Sequence, residues 1–176
     1  MKKLISGIIA VAMALSLAAC QKETKVISLS GKTMGTTYHV KYLDDGSIKA
    51  TSEKTHEEIE AILKDVNAKM STYKKDSELS RFNQNTQVNT PIEISPDFAK
   101  VLAEAIRLNK VTEGALDVTV GPVVNLWGFG PEKRPEKQPT PEQLAERQAW
   151  VGIDKITLDT NKEKATLSKA LPQVYV

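Results

Sequence analysis

The chain has 176 residues with 24 basic and 22 acidic side chains, a balance that excludes the concentrated basic face of a nucleic-acid binder. The surplus resides in Lys2 and Lys3, so the chain beyond its first stretch is electrically neutral. A single cysteine excludes an internal disulfide framework and any CxxC metal or redox site.

The opening, MKKLISGIIAVAMALSLAAC, has a short basic start, an apolar run from Leu4 and small residues before Cys20. That is the pattern of a secretory signal over residues 1–19. The apolar run is short for a membrane-spanning helix and lacks a basic stop-transfer flank. Leu17-Ala18-Ala19-Cys20 looks like a bacterial lipobox, which would make Cys20 the acylated first residue of the mature chain. Ordinary cleavage beside an accidental cysteine is the alternative. Acylation ties a globular body to a membrane surface. Gln21, not Asp, follows the cysteine, a mark of outer-membrane sorting in lipoproteins of this kind, although which membrane holds the anchor is left open. Residues 20–30 are expected to form a lipid-anchored tether and 31–176 one folded portion, long enough for a core of its own.

Val26, Ile27 and Leu29 suggest a first strand, with Gly31 and Gly35 as punctuation. Tyr38, Val40 and Tyr42 alternate with His39 and Lys41, a half-buried strand. Asp44 to Ser47 is a turn. Thr55 and Glu58 make a capping box, and Ile59, Ile62, Leu63, Val66 and Met70 fall on one helical stripe; His56, in its first turn, reads as solvated. The polar stretch after Met70 reads as a loop, with a short helical turn at Ser77–Phe82. Ser95-Pro96 opens the next helix, whose inner face carries Phe98, Val101, Leu102, Ala105 and Leu108 or Asn109, and which stops near Glu113-Gly114. A strand is expected to follow Ala115. Four prolines from Pro131 to Pro141 mark an exposed loop. Thr140, Pro141 and Gln143 cap a third helix anchored by Leu144 and Trp150 and ended by Gly152. KITLD and KATLS pair as a hairpin, Ile156 and Leu158 facing Ala165 and Leu167. LPQVYV begins an apolar strand and stops, so the chain reads as incomplete.

No complete nucleophile–base pair is visible. The two histidines have no HExxH spacing, no serine sits in a G-x-S-x-G elbow, and there is no Walker A loop. GFG after Trp127 is not a GxGxxG. His39 reads as a solvent-facing strand residue. What remains is a set of binding candidates. Met34 lies between two glycines, where its thioether could pack on a flat ring or tuck into the core. Tyr73 could cover a ligand or be a lone surface tyrosine. Ala115 leaves backbone amides accessible, and Asp117, in an apolar run, needs partners that either a ligand or a neighbouring loop could supply.

In order, GKTMGTTYHV, MSTYKKDSELSRFN, TEGALDVTVGPVVNLWGFG and VGIDKITL resemble the ApbE family of FAD:protein FMN transferases, periplasmic flavin-transferring lipoproteins. The resemblance runs from about Gly31 to the last residue. It implies an α+β, T-fold-related flavin transferase domain, of which this chain carries the N-terminal portion. It implies magnesium-dependent cleavage of FAD at its pyrophosphate and transfer of FMN, through a phosphodiester, to a threonine of a target redox protein. Such targets include subunits of the sodium-pumping NADH:quinone reductase; some members hydrolyse FAD to FMN and AMP. Carried over by motif, Met34 and Tyr73 look like flavin contacts and Ala115, Leu116 and Asp117 like the main FAD-contacting strand entry. The family's catalytic histidine and its metal ligands come after LPQVYV, so the resemblance assigns no catalytic and no metal-binding residue here. The chain alone is therefore expected neither to hold magnesium nor to transfer FMN, and to expose apolar edges at Val174 and Val176. A non-catalytic flavin-binding lipoprotein using Met34, Tyr73 and Asp117 is the alternative.

Overall fold

The computed structural model describes residues 24–161 and 163–176. The predicted signal, the acylation site Cys20 and the first part of the tether lie outside the described residues. The described residues mix helices with short antiparallel strands, the expected α+β class. They divide into two compact units, one ending at Ala61 and one spanning Ile62–Val176.

In the first unit, β1 (Lys25–Thr33) and β2 (Thr36–Asp44) pair antiparallel from Lys25↔Asp44 to Thr33↔Thr36. The strand therefore begins within the predicted tether, because Val26, Ile27 and Leu29 find a partner strand. The alternation holds: Ile27, Leu29, Tyr38, Val40 and Tyr42 turn to the more buried face, while His39 and Lys41 are exposed. Gly31 lies inside β1 instead of punctuating it, and a Cβ there would stand 2.6 Å from the Tyr38 ring and 2.4 Å from Glu60 Oε1. The missing side chain lets the Tyr38 hydroxyl donate to Glu60 Oε1 at 2.5 Å, with His56 Nε2 2.9 Å from the same hydroxyl. His56 is thus packed edge-on against Tyr38, not merely solvated. The bond to Glu60 holds the Tyr38 phenol up at about 12.

Helix α1 (Ser52–Met70) contains the boundary between the units. It starts a turn earlier than the Thr55–Glu58 box predicts. Thr51 takes the capping role, its Oγ1 accepting the Lys54 N–H at 3.2 Å. The predicted stripe is only half-buried, and Ile62 is exposed. At about 100° per residue Ile62 falls some 60° from Ile59, on the stripe's margin.

In the second unit, α2 (Glu78–Gln84) is a full helix where only a turn was expected. Ser77 caps it, accepting the Ser80 N–H at 3.0 Å. Ser95 and Pro96 start α3 (Pro96–Val111) as predicted. Its buried residues are Phe98, Ala99, Leu102 and Ala105, with Ala99 in place of the exposed Val101. A strand too short to read from sequence, β3 (Ile92–Glu93), joins the hairpin of β4 (Ile156–Asp159) and β5 (Thr166–Lys169) in the order β3-β5-β4. Leu158 faces Leu167 as expected, but Ile156 faces Lys169, and Ala165 lies before the strand. The predicted strand after Ala115 is instead a turn leading into α4 (Gly121–Leu126), a short helix with Pro122 in its first turn. Helix α5 (Pro141–Gln148) carries the full Thr140–Gln143 capping box. The core gathers Leu79, Phe82, Ile94, Phe98, Ala99, Leu102, Ile156, Leu167 and Val174.

LPQVYV does not form a strand, nor does it leave exposed edges: Val174 is fully buried and Val176 partly so. Its backbone polar groups are met by side chains. Asn83 Nδ2 donates to the Val176 carbonyl at 3.0 Å and Asn83 Oδ1 accepts the Val176 N–H at 2.9 Å, as a neighbouring strand would. Lys169, only 2% exposed, donates from Nζ to the carbonyls of Asn83, Pro172 and Val174 at 3.0, 2.9 and 3.3 Å. No carboxylate pairs with it among the described residues, and burial pushes its ammonium down to about 8. Between that value and the ordinary 10.5 the unfolded chain binds the proton more tightly than the folded one, so stability rises as pH climbs through this window. Urea titrations at pH 7.5 and pH 10 should show a gain of about 2 kcal/mol from this group. Lys169→Met should abolish that part of the pH dependence.

Candidate functional site

Met34 belongs to the first unit. The β1–β2 connection is a two-residue turn in which Met34 (φ 50°) and Gly35 (φ 76°) both adopt the left-handed region. Such turns favour Asn-Gly, because at positive φ a Cβ crowds the following carbonyl oxygen; Gly has none and Asn offsets the cost by local hydrogen bonding. Met34 accepts the strain and is 55% exposed. It is therefore not a core anchor, and its thioether is presented to the surroundings.

The other predicted site residues belong to the second unit. Tyr73 sits just past the end of α1 in a loop tied by hydroxyls. Ser71 Oγ accepts the N–H groups of Tyr73 and Lys74 at 3.2 and 3.1 Å. The Ser71 carbonyl accepts the hydroxyls of Ser77 and Ser80 at 2.5 and 3.1 Å. Both serines are buried, so the knot is shielded from water. It holds the Tyr73 backbone while the side chain stays 70% exposed, its hydroxyl donating to the Phe129 carbonyl at 3.4 Å.

Phe129 comes from the turn after α4. The N–H groups of Gly128 and Phe129 return to the carbonyls of Asn125 and Val124 at 2.9 and 3.1 Å. Gly128 takes φ +77°, and a Cβ at Gly130 would stand 1.7 Å from Asn125 Oδ1. Asn125 is buried and donates from Nδ2 to Glu132 Oε1 at 3.0 Å.

Ala115, Leu116 and Asp117 follow the left-handed pair Glu113 (φ 53°) and Gly114 (φ 85°) that ends α3. Thr112 Oγ1 accepts the Leu116 N–H at 3.2 Å, and Asn109 Nδ2 donates to the Leu116 carbonyl at 2.8 Å. Ala115 and Leu116 are exposed and Asp117 is half-buried. Asp117 Oδ1 accepts both the N–H and the hydroxyl of Thr119, at 2.8 and 2.6 Å. The buried Thr119 Oγ1 in turn accepts the Gly152 N–H at 2.7 Å. One carboxylate oxygen is thus used internally. Among the described residues Oδ2 and the N–H groups of Asp117 and Val118 have no hydrogen-bond partner.

Thr72 and Val118, next in sequence to Tyr73 and Asp117, line one apolar cavity of about 210 Å³ with Met70, Leu102 and Val176. The second unit therefore combines an exposed aromatic pair, a spare carboxylate oxygen, free amides and an apolar recess. That suits a planar ligand with polar edges. No nucleophile–base pair is present, and no three His, Cys, Asp or Glu side chains converge to hold a metal among the described residues. The described residues do not fit a magnesium site. Sequence reading missed Phe129, Thr119 and the serine knot. The G-F-G spacing and the Ser71, Ser77, Ser80 series were their only signals.

Two substitutions test this framework. Gly128→Ala places a Cβ 2.6 Å from Arg134 Cγ and 2.9 Å from Arg134 Cα at a left-handed φ, and should cost about 1–3 kcal/mol in chemical denaturation. Ser77→Ala loses a helix cap and a bond to the Ser71 carbonyl, and should cost about 1–3 kcal/mol by the same measurement.

Residues 34–176 match the sequence profile of the ApbE family. The whole chain is 99% identical to an FAD:protein FMN transferase of Haemophilus influenzae, of which it covers 51%. Among solved structures, the flavin transferase ApbE from Vibrio cholerae superposes with a TM-score of 0.81 at 53% identity, over 88% of this chain and 48% of that one. The flavinyl transferase ApbE of Pseudomonas stutzeri, in its apo form, gives 0.78 at 34% identity, over 87% and 50%. The chain thus spans about half the length of the relatives it matches. With the profile matched from the Met34 turn through Tyr73 and Asp117 to Val176, the chain belongs to the ApbE family.

Proposed function

We propose that this chain is the N-terminal, flavin-contacting portion of an enzyme that cleaves FAD, with magnesium, and attaches FMN to a threonine of a target redox protein. The class of target would be an electron-transport subunit such as that of a sodium-pumping NADH:quinone reductase. The lipobox pattern at Cys20 adds a periplasm-facing lipid anchor to the proposal. The observation that carries the reading is the Asp117 turn. A family match covers it, and it keeps one carboxylate oxygen and two amides without partners beside an apolar recess.

In this reading Tyr73 covers a flat ring, and the exposed Ala115 and Leu116 allow close approach of the ligand. Asp117 Oδ2 accepts a hydrogen bond from the ligand while Oδ1 keeps the turn in shape through Thr119. Met34, in the first unit, is given a flavin-contacting role by the family resemblance alone. These groups bind and orient; none of them moves a proton. When bound, magnesium would neutralise charge on the phosphate oxygens.

Titration of FAD with the chain, followed by fluorescence polarisation, tests the binding part. Asp117→Asn keeps an acceptor for Thr119 but removes the charge, and should weaken FAD by about tenfold or more. Tyr73→Ala should weaken it comparably. Unchanged binding in both variants, or no binding by the parent chain, would sink the reading. For the transfer part, incubating FAD, magnesium and a threonine-bearing target with the full-length enzyme of which this chain is proposed to be a portion should leave flavin fluorescence on the target in a denaturing gel, whereas this chain alone should leave none. Free FMN with no labelled target would mark a hydrolase instead.

A further inference from the structure

The chain has three phenylalanines. Phe82 and Phe98 are each 2% exposed in the core, whereas Phe129 is 72% exposed. An exposed ring on a loose loop would mean little, but this one is held firmly. Its own N–H is bonded to the Val124 carbonyl at 3.1 Å, and its carbonyl lies 3.4 Å from the Tyr73 hydroxyl. Gly128, on one side, is held in the left-handed region; Gly130, on the other, is packed against the buried Asn125.

The second aromatic is presented the same way. Tyr73, at 70% exposure, is fixed through Ser71 and the buried serines Ser77 and Ser80. The Tyr73 hydroxyl is thus joined to the Phe129 backbone carbonyl, and both aromatic side chains, from separate segments, are ordered at the backbone and left in solvent. Preorganised, exposed rings forgo the gain of burial in the free protein and recover it when a partner covers them.

We propose that Phe129 is a ring-contacting residue of the flavin site, forming with Tyr73 an aromatic ledge for a planar ring of FAD. The proposal rests on the flavin reading above and adds a residue to it. Aromatic faces favour flat π-systems over aliphatic chains or peptides. The turn holds the ring out because its two glycines pack closely, Gly128 against Arg134 and Pro135 and Gly130 against Asn125, while the Phe129 side chain between them stays exposed.

The test is FAD affinity of the chain by fluorescence polarisation, with circular dichroism to confirm an unchanged fold. Phe129→Ala and Phe129→Leu should both weaken FAD by about tenfold or more, since leucine keeps the apolar volume but not the π-face. Phe129→Trp should stay within about threefold of the parent, because a single stacking face is retained. Leu43→Ala, at an exposed position on β2, should leave affinity unchanged. If Phe129→Leu binds as the parent does while Tyr73→Ala and Asp117→Asn weaken, Phe129 has no such role and the flavin reading survives. If the parent chain does not bind FAD, both readings fall together.

Discussion

The carbonyl of Ser71 organises much of the second unit. Two buried hydroxyls, from Ser77 and Ser80, converge on it. A buried carbonyl without a donor is costly, so the arrangement fixes the end of α1 against the start of α2. Each later feature builds on that join. The N-terminal side of α2 holds the Tyr73 loop. Its apolar face sends Leu79 and Phe82 into the core. Its last turn offers Asn83, whose side chain and carbonyl hold Val176 and Lys169. A seven-residue helix thus links the exposed tyrosine to the final described segment.

The same economy governs the stretch from Thr112 to Gly130. Its backbone has no strand neighbours, and several of its polar groups are met by nearby side chains, while the N–H groups of Asp117 and Val118 are left without a partner among the described residues. Thr112 and Asn109 serve Leu116, Asp117 serves Thr119, Thr119 serves Gly152, and Asn125 serves Glu132. Left-handed residues cluster at these bends, with Glu113, Gly114 and Gly128 here and Met34 and Gly35 in the first unit. Strain held at ordered, exposed turns is characteristic of ligand-contacting loops. Of the non-glycine residues among them, Met34 is itself a position at which the family resemblance places a flavin contact, and Glu113 lies two residues before another, Ala115.

Lys169 is the largest departure from ordinary packing. It buries a cation among three carbonyls, beside the Phe82 ring at 5.2 Å. Carbonyl dipoles satisfy its donors but supply no opposite charge, which is why burial lowers its proton affinity. The gain is order in residues 172–176, whose backbone would otherwise lack hydrogen-bonding partners in the core.

The elements legible from sequence were those whose signals are local. Serine before proline at Ser95-Pro96, the Thr140–Gln143 box, the β1–β2 alternation and the pairing of Leu158 with Leu167 all rest on neighbours within a few residues. The order of the glycine-bracketed Met34, Tyr73 and Ala115-Leu116-Asp117 was enough for the family resemblance. The remainder was decided by contacts distant in sequence. The run after Ala115 looked like a strand by composition, but no partner strand meets it and Pro122 suits a helix start. LPQVYV likewise looked like a strand, until Asn83 and Lys169 took its backbone groups. For Asp117 the alternatives of loop and ligand do not exclude each other: Oδ1 is taken by Thr119, itself held by the distant Gly152 N–H, and Oδ2 is left free. The presentation of Phe129 beside Tyr73 joins positions 56 residues apart. Local periodicity and capping chemistry are written along the chain; the satisfaction of buried polar groups is a property of residues that meet only after folding.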